Sequence, residues 1–182
     1  LLRSGLQPIL MTLADRHRLT SAGLDGLAHL LQLLTNYFKV EIGIKLLDHL
    51  SALAEPAMLR RAAAGPLDTH EKLRILTAIV RVFHLLPDTA YQFLPRLLMY
   101  VAEIESHLRR SGPTPFTDML TLFLDHFAEH TIRYFFESDQ LQNPRLLRLL
   151  RLALASDHGA SLRRQLDERA DVYILPLLSD AS

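Results

Sequence analysis

The sequence contains no cysteine among its 182 residues. This absence excludes disulfide frameworks, zinc sites built from thiolates and cysteine nucleophiles. The chain also lacks a charge surplus, because 20 Lys and Arg residues balance 20 Asp and Glu residues. Without a net positive field, non-specific attraction to nucleic acid or to an anionic membrane surface is not expected. We therefore predict that the chain has no direct nucleic-acid partner.

Long hydrophobic runs are missing as well. A membrane-spanning helix needs about 18 or more consecutive apolar residues. The apolar stretch between Asp25 and Lys39 is shorter and includes His29, Gln32 and Asn36. The first residues show no signal-peptide pattern, and the chain starts at Leu1 rather than at a methionine. We predict no membrane partner and expect the chain to be part of a longer polypeptide.

What the sequence does have is apolar material arranged in helical order. Hydrophobic residues make up 49% of the chain and charged residues 22%, which is enough to bury a continuous core. Apolar residues recur at steps of three and four, whereas the alternating pattern of a strand does not persist. One such face follows a start at Thr20 or Ser21 and comprises Leu24, Leu27, Leu31, Leu34 and Phe38. The chain is therefore predicted to be all-α.

Proline, glycine and capping residues divide the first half into helices. A helix is predicted over residues 40–54, with Pro56 ending it and residues 62–66 as a linker. Asp68, with Glu71 three residues later, predicts the next helix start. That helix has an apolar face formed by Leu73, Leu76, Val80 and Phe83.

The second half is divided in the same way. A long helix is predicted from residue 88 or 89 to about 110, with a kink at Pro95. The SGPTP sequence at 111–115 is a break. Another apolar helix is predicted to begin after it, with Met119, Leu120, Phe123, Leu124 and Phe127. Asn143 and Pro144 open another helix, and weaker helical turns are predicted over 160–178.

The helix starts near Thr20, Asp68 and Thr114 are spaced by about 45 to 50 residues, close to the repeat length of two-helix HEAT units. This spacing predicts a HEAT-like α-solenoid of antiparallel helical hairpins, with residues 1–182 forming a single segment. The predicted units are 20–67, 68–112 and 113–155. Residues 1–19 would be the trailing helix of a preceding repeat, and 156–182 the start of the next.

One short motif suggests metal chemistry. His126, Glu129 and His130 match the H-x-x-E-H arrangement, in which two histidines on one helical face bind zinc beside a glutamate base. A third ligand is required, and the sequence does not place Glu137 or Glu168 nearby. A solvated helix face is the favoured interpretation, and a zinc enzyme is a remote alternative.

Other polar groups have similar alternatives. Arg145, Arg148 and Arg151 either solvate one side of a leucine-rich helix, which is favoured, or form a partner-facing patch. The doublets at 60–61, 109–110 and 163–164 are expected near helix ends, where cations offset carbonyl dipoles. The DRHR sequence at 15–18 is interpreted as a polar turn rather than an acid–base pair. Phosphate loops, nucleophile elbows and kinase signatures are absent from the sequence. We predict no catalytic, cofactor-binding or metal-binding residues, and no small-molecule substrate.

Particular runs of residues carry a resemblance to a known family. They are 6–11 (LQPILM), 18–20 (RLT), 22–24 (AGL), 33–43 (LLTNYFKVEIG), 45–49 (KLLDH), 83–87 (FHLLP), 114–116 (TPF) and 141–144 (LQNP). In these runs the chain resembles the TRRAP family of transcription-associated pseudokinases, in its fungal form. That family is a branch of the phosphoinositide-kinase-related (PIKK) proteins. The likeness extends over essentially the whole chain.

The resemblance implies a function. It implies a segment of the long helical solenoid of a protein that has lost kinase activity, with the kinase-like domain elsewhere. Such proteins scaffold SAGA-type histone acetyltransferase coactivator complexes in the nucleus and receive transcription activators. The expected partners are therefore other coactivator subunits and transcription activators. A generic HEAT-type adaptor or transport solenoid is the alternative.

Overall fold

The structure is a computed structural model that describes residues 15, 19–33, 40–67, 70–86, 88–108 and 112–179, without the side chains of 31–33 and 175–179. Within these residues every regular element is a helix, which confirms the predicted all-α class. No described helix is long and apolar enough to cross a membrane.

The α-helices are α1 (Ser21–Leu33), α2 (Val40–Leu53), α3 (Pro56–Ala62), α4 (Glu71–Phe83), α5 (Leu94–Leu108), α6 (Pro115–His126), α7 (Ala128–Glu137), α8 (Pro144–Ala155), α9 (Ala160–Glu168) and α10 (Ala170–Ser179). Short 3-10 helices, Asp88–Phe93 and Gln140–Gln142, precede α5 and α8.

The helices form two rows, and the chain passes back and forth between them. In the first row α1 packs against α4, α4 against α6, and α6 against α9. In the second row α2 and α3 pack against α5, and α5 packs against α8. We refer to α1 with α2, α4 with α5, and α6 with α8 as the first, second and third helix pairs. Stacking of helix pairs in rows is the architecture of an α-solenoid.

The core lies between the two rows. The predicted face of α4 is confirmed, because Leu73, Leu76, Val80 and Phe83 are all buried. Aromatic rings join the second and third pairs. Phe83 makes edge contacts with Phe93 and Phe123, with ring centroids 5.8 and 6.1 Å apart.

Gly43 allows α2 to approach the second helix pair closely. A Cβ at this position would lie 2.3 Å from Cε2 of Phe93, and Phe93 is itself buried against Phe83. Glycine in a helix interior costs about 1 kcal/mol relative to alanine. At position 43 only glycine permits the close approach of α2 to the Phe93 ring, because any side chain would collide with that ring.

Two prolines act differently from the prediction. The helix predicted over 40–54 ends at Leu53, but Pro56 begins α3, which reaches the first residue of the predicted linker, Ala62. Pro95 is the second residue of α5, after a 3-10 helix, and does not kink a single long helix. The reason is that a first-turn proline loses no backbone hydrogen bond and has a helical φ.

The predicted helix through Phe127 is also divided. It ends at His126, and α7 starts at Ala128, because Phe127 has φ −106° and ψ 41°. The hydroxyl of buried Thr131 donates to the Leu124 carbonyl at 3.1 Å and so satisfies a group at the end of α6. The sequence carries no proline or glycine at this break.

Side-chain caps fix several helix starts. As predicted, the hydroxyl oxygen of Thr20 accepts a hydrogen bond from the Gly23 amide, at 3.1 Å. Thr114 and Thr117 form a capping box at α6, and Asn143 accepts bonds from the first amides of α8. The predicted cap at Asp68 lies outside the described residues. The residue before α4 is His70, whose side chain makes no cap bond.

Candidate functional site

The residues of the H-x-x-E-H motif do not share one helical face. His126 is the last residue of α6, whereas Glu129 and His130 lie in α7. The ring of His130 stacks on Tyr91 with centroids 4.1 Å apart, and Glu129 accepts a bond from Arg169 at 2.9 Å. The expectation of a single face was therefore wrong, because the helix breaks at Phe127.

The two glutamates considered as a third ligand are also engaged elsewhere. Glu137 accepts a hydrogen bond from the Tyr173 hydroxyl at 2.7 Å, and Glu168 accepts one from Gln165 at 2.8 Å. In the part of the chain that the structure describes, no three His, Cys, Asp or Glu side chains are grouped so that they could hold a metal ion.

The three arginines of α8 are neither a plain solvated face nor an open patch. Arg145 pairs with Glu103 of α5 at 3.2 Å, and Arg148 pairs with Glu105 of α5 at 3.4 Å. Arg151 is exposed. Two of the three therefore connect the third helix pair to the second, which neither alternative anticipated.

Glu105 is the centre of a buried polar network. Its side chain is 2% exposed and accepts a hydrogen bond from the Thr114 hydroxyl. Arg148 reaches both the Glu105 carboxylate and the Gly112 carbonyl, each at 3.4 Å. The network thus joins α5, the 112–114 turn, the start of α6 and α8. Burial raises the pKa of Glu105, while Thr114 and Arg148 oppose that rise.

This pKa shift predicts a pH dependence. The pKa of Glu105 is higher in the folded than in the unfolded chain. The contribution of this carboxyl group to the free energy of unfolding is therefore complete below the ordinary carboxyl pKa, and it is lost as the pH rises through the folded-state pKa. Glu105→Gln removes the titrating group. We expect the unfolding free energy of this variant, minus that of the unaltered chain, to increase with pH above about 4.5.

Urea denaturation across a pH series measures this difference. Glu103→Gln is the matched control, since Glu103 lies two residues away and its side chain is 55% exposed. This control removes an exposed carboxylate from the same helix, and so it separates the effect of burial from the loss of one negative charge. Parallel pH profiles for Glu105→Gln and the unaltered chain would contradict the assignment.

Four other side chains have shifted pKa values, and one of them is Arg169, whose pKa is raised by its hydrogen bond with Tyr173. Burial lowers the pKa of His84, and burial raises the pKa of Tyr134. The hydrogen bond from Tyr173 lowers the pKa of Glu137. Each shift follows from contacts between the chain's own helices.

Contacts of Asp125 and Arg163 attach α9 to the third helix pair. The Asp125 carboxylate accepts a hydrogen bond from the Leu162 amide at 2.9 Å and so caps α9 from α6. Arg163 donates to the carbonyls of Leu154 and Ser156, both at 2.7 Å, at the end of α8. No sequence signal points to the Asp125 cap, because its partner Leu162 is 37 residues away.

The arginine doublets were predicted to lie near helix ends, and the structure confirms this for one of the two that it describes. Arg60 and Arg61 lie in the last turn of α3, as predicted. Arg163 and Arg164 lie instead within the first five residues of α9, and Arg163 offsets the end of the neighbouring α8 rather than of its own helix. The doublet at 109–110 lies outside the described residues. So does the 15–18 turn, apart from Asp15.

Removal of the Asp125 cap should have a modest effect. Asp125→Ala should lower the free energy of unfolding by about 1 kcal/mol, because the first turn of α9 loses an acceptor. Amide hydrogen exchange at 160–163 should accelerate. Asp157→Ala is the control, because Asp157 is exposed in the preceding turn. Equal exchange in the two variants would show that the cap contributes nothing.

Six ion pairs between separate segments of the chain share one direction. In each of them the acid lies on the earlier segment and the base on the later one. These pairs are Asp25 with Arg81, Asp48 with Arg96, Glu55 with Lys72, Glu103 with Arg145, Glu105 with Arg148, and Glu129 with Arg169. Most are exposed and contribute about 0 to 1 kcal/mol each. Each helix pair is thus electrostatically complementary to the one before it.

The sequence is similar to those of known proteins. The model of the Tra1 HEAT repeat ring region matches residues 1–181. The SAGA complex/NuA4 acetyltransferase complex subunit Tra1 of Schizosaccharomyces pombe is 46% identical over 134 residues, 74% of this chain and 4% of its own length. The subunit of the same name from Saccharomyces cerevisiae is 38% identical over 176 residues, 96% of this chain and 5% of its own length.

The likeness extends to animals. The human transformation/transcription domain-associated protein is 24% identical over 190 residues, 95% of this chain and 5% of its own length. The chain therefore spans about one twentieth of these relatives. Stacked helix pairs and a match over nearly every residue lead to one conclusion: the chain belongs to the Tra1 HEAT repeat ring family, the family that includes TRRAP.

Proposed function

We propose that this chain is a non-catalytic scaffold segment of a TRRAP-like pseudokinase in a SAGA-type histone acetyltransferase coactivator complex. It acts in the nucleus and contributes to transcription regulation by holding protein partners, which are other subunits of the complex and transcription activators. It belongs to a longer solenoid, with repeat units at 20–67, 68–112 and 113–155 and partial units at 1–19 and 156–182.

One observation carries this proposal. The match to the Tra1 ring family spans residues 1–181, and two relatives are named as subunits of SAGA and NuA4 complexes. The polar contacts of the described residues support it. Glu105, the most buried acid of the described residues, is bound by Thr114 and Arg148, and so it serves helix stacking. A buried acid that served catalysis would face a substrate cleft.

The stacked architecture suits protein binding. Solenoids present extended outer surfaces along which several partners can align. The balanced charge gives no field for nucleic acid, so the proposal includes no direct nucleic-acid contact, no membrane and no small-molecule substrate. A generic adaptor or transport solenoid would have the same fold but different partners.

Affinity purification of the full-length protein from nuclear extract tests the proposal. We expect acetyltransferase complex subunits to co-purify in near-stoichiometric amounts and to remain bound at moderate salt. Recovery of the protein with transport factors, and without acetyltransferase subunits, would favour the adaptor alternative and contradict the proposal.

A further inference from the structure

The second and third helix pairs meet through two different kinds of contact. In the first row, α4 and α6 pack closely along their apolar faces, and this packing includes the edge contact of Phe83 with Phe123. In the second row, α5 and α8 are joined by two carboxylate–guanidinium pairs, Glu103 with Arg145 and Glu105 with Arg148. Aromatic contacts tolerate small rotations, whereas hydrogen-bonded ion pairs have strict distances and directions.

The 112–114 turn is held by the same network. Arg148 donates to the Gly112 carbonyl, and Thr114 donates to Glu105 while its hydroxyl oxygen caps α6. Glu105 therefore contacts both the connection between the two helix pairs and the far helix of the third pair. Loss of its carboxylate would remove one polar contact to the turn and one to α8 at the same time.

Stability alone does not explain a charged residue at this position. Burying a carboxylate costs several kcal/mol of solvation, and apolar residues of similar volume often replace a buried ion pair without loss of stability. Glu105 also occupies the apolar stripe of α5, between Val101 and Leu108, which are both buried. A leucine or methionine would fit that stripe. The ion pair adds specificity, because its hydrogen bonds form in only one arrangement of α5, the 112–114 turn and α8.

We propose that the network of Glu105, Thr114 and Arg148 is a latch that fixes the angle between the second and third helix pairs. When the latch is broken, the pairs pivot at the contact of Phe83 with Phe123, and the curvature of the row changes at this joint. The consequence for bound partners rests on the proposed scaffold function, whereas the latch itself is a property of the chain.

Single-particle cryo-EM of the full-length protein tests the latch, with the joint angle as the readout. The variant Glu105→Met with Arg148→Met replaces the buried Glu105 and the partly exposed Arg148 by apolar residues. The matched control, Glu103→Met with Arg145→Met, removes the exposed pair between the same two helices. We expect the first variant to raise the population of opened joints about tenfold while α4 and α6 remain folded. The control should keep the angle of the unaltered protein.

Each alternative result has a defined meaning. A single unchanged angle in the Glu105 variant, or equal opening in the control, would overturn the proposal. If the double variant fails to fold, Glu105→Gln replaces it. Glu105→Gln retains an acceptor for Thr114 but carries no charge toward Arg148, so a smaller rise in opened joints is expected. No rise in that variant would equally overturn the latch. Co-purifying subunits are scored separately, so failure of the latch and failure of the scaffold function are distinguishable.

Discussion

Phe123→Ala should lower the free energy of unfolding by about 4 kcal/mol, the largest effect that we expect from a single substitution. Phe123 is fully buried and contacts Phe83 and Phe127 through ring edges, with centroids 6.1 and 5.0 Å apart. Its removal leaves a cavity between the second and third helix pairs. The cavity can be filled only if both helix pairs move. Urea denaturation of the chain measures the change.

Phe136→Ala is the matched control for this substitution. Phe136 lies in the neighbouring α7, is half-buried, and stacks on Tyr173 near the surface. Because solvent can fill the space that it leaves, we expect a loss of about 1 kcal/mol. Similar losses for the two variants would mean that the contact between α4 and α6 is not the apolar centre of the structure.

Gly43→Val should destabilise the chain by about 3 kcal/mol. The new Cβ would lie 2.3 Å from Cε2 and 2.5 Å from Cζ of Phe93. Phe93 is packed against Phe83 and cannot move aside, so α2 must shift away from the second helix pair. The expected result is a lower denaturation midpoint together with faster amide exchange in α2.

Gly26→Ala tests whether the effect at Gly43 is steric. Gly26 is also inside a helix, but a Cβ there meets nothing within 4 Å. Alanine should therefore stabilise the chain by up to about 1 kcal/mol through helix propensity. A destabilised Gly26→Ala, or a neutral Gly43→Val, would contradict the packing of α1 or α2 described above.

The apolar faces could be predicted from sequence because burial follows helical period. The α4 face, and Leu24 and Leu27 of α1, are buried as expected, since any stacked amphipathic helix must cover such a face. Leu34 and Phe38, which continue the α1 face, lie outside the described residues. Whether a segment forms a helix could be predicted from the spacing of its apolar residues, because this spacing is a local property of the sequence.

Helix boundaries were harder to predict. A proline either stops a helix or starts one, and sequence spacing did not distinguish the two at Pro56 and Pro95. The break at Phe127 depends on Thr131 satisfying the Leu124 carbonyl. Such a bond exists only after the chain has folded back on itself.

The polar network was missed for a different reason. Glu105 falls on the apolar stripe of α5, and this placement was the signal that could have revealed it. Its partner Arg148 is 43 residues away, and the period of α8 alone does not show which helix its arginines face. Contacts between helix pairs depend on how far one helix is shifted along its neighbour. The residues of one helix do not show this shift.

Crosslinking of the purified nuclear complex tests the central claim, that this segment holds other proteins. Lys45 and Lys72 are exposed, and Lys39 lies shortly before Lys45 in the sequence. We predict that at least one of these lysines crosslinks to another subunit of an acetyltransferase complex. If all three react with the crosslinker yet join only to residues of their own chain, the segment does not contact partners here, and the scaffold account is contradicted.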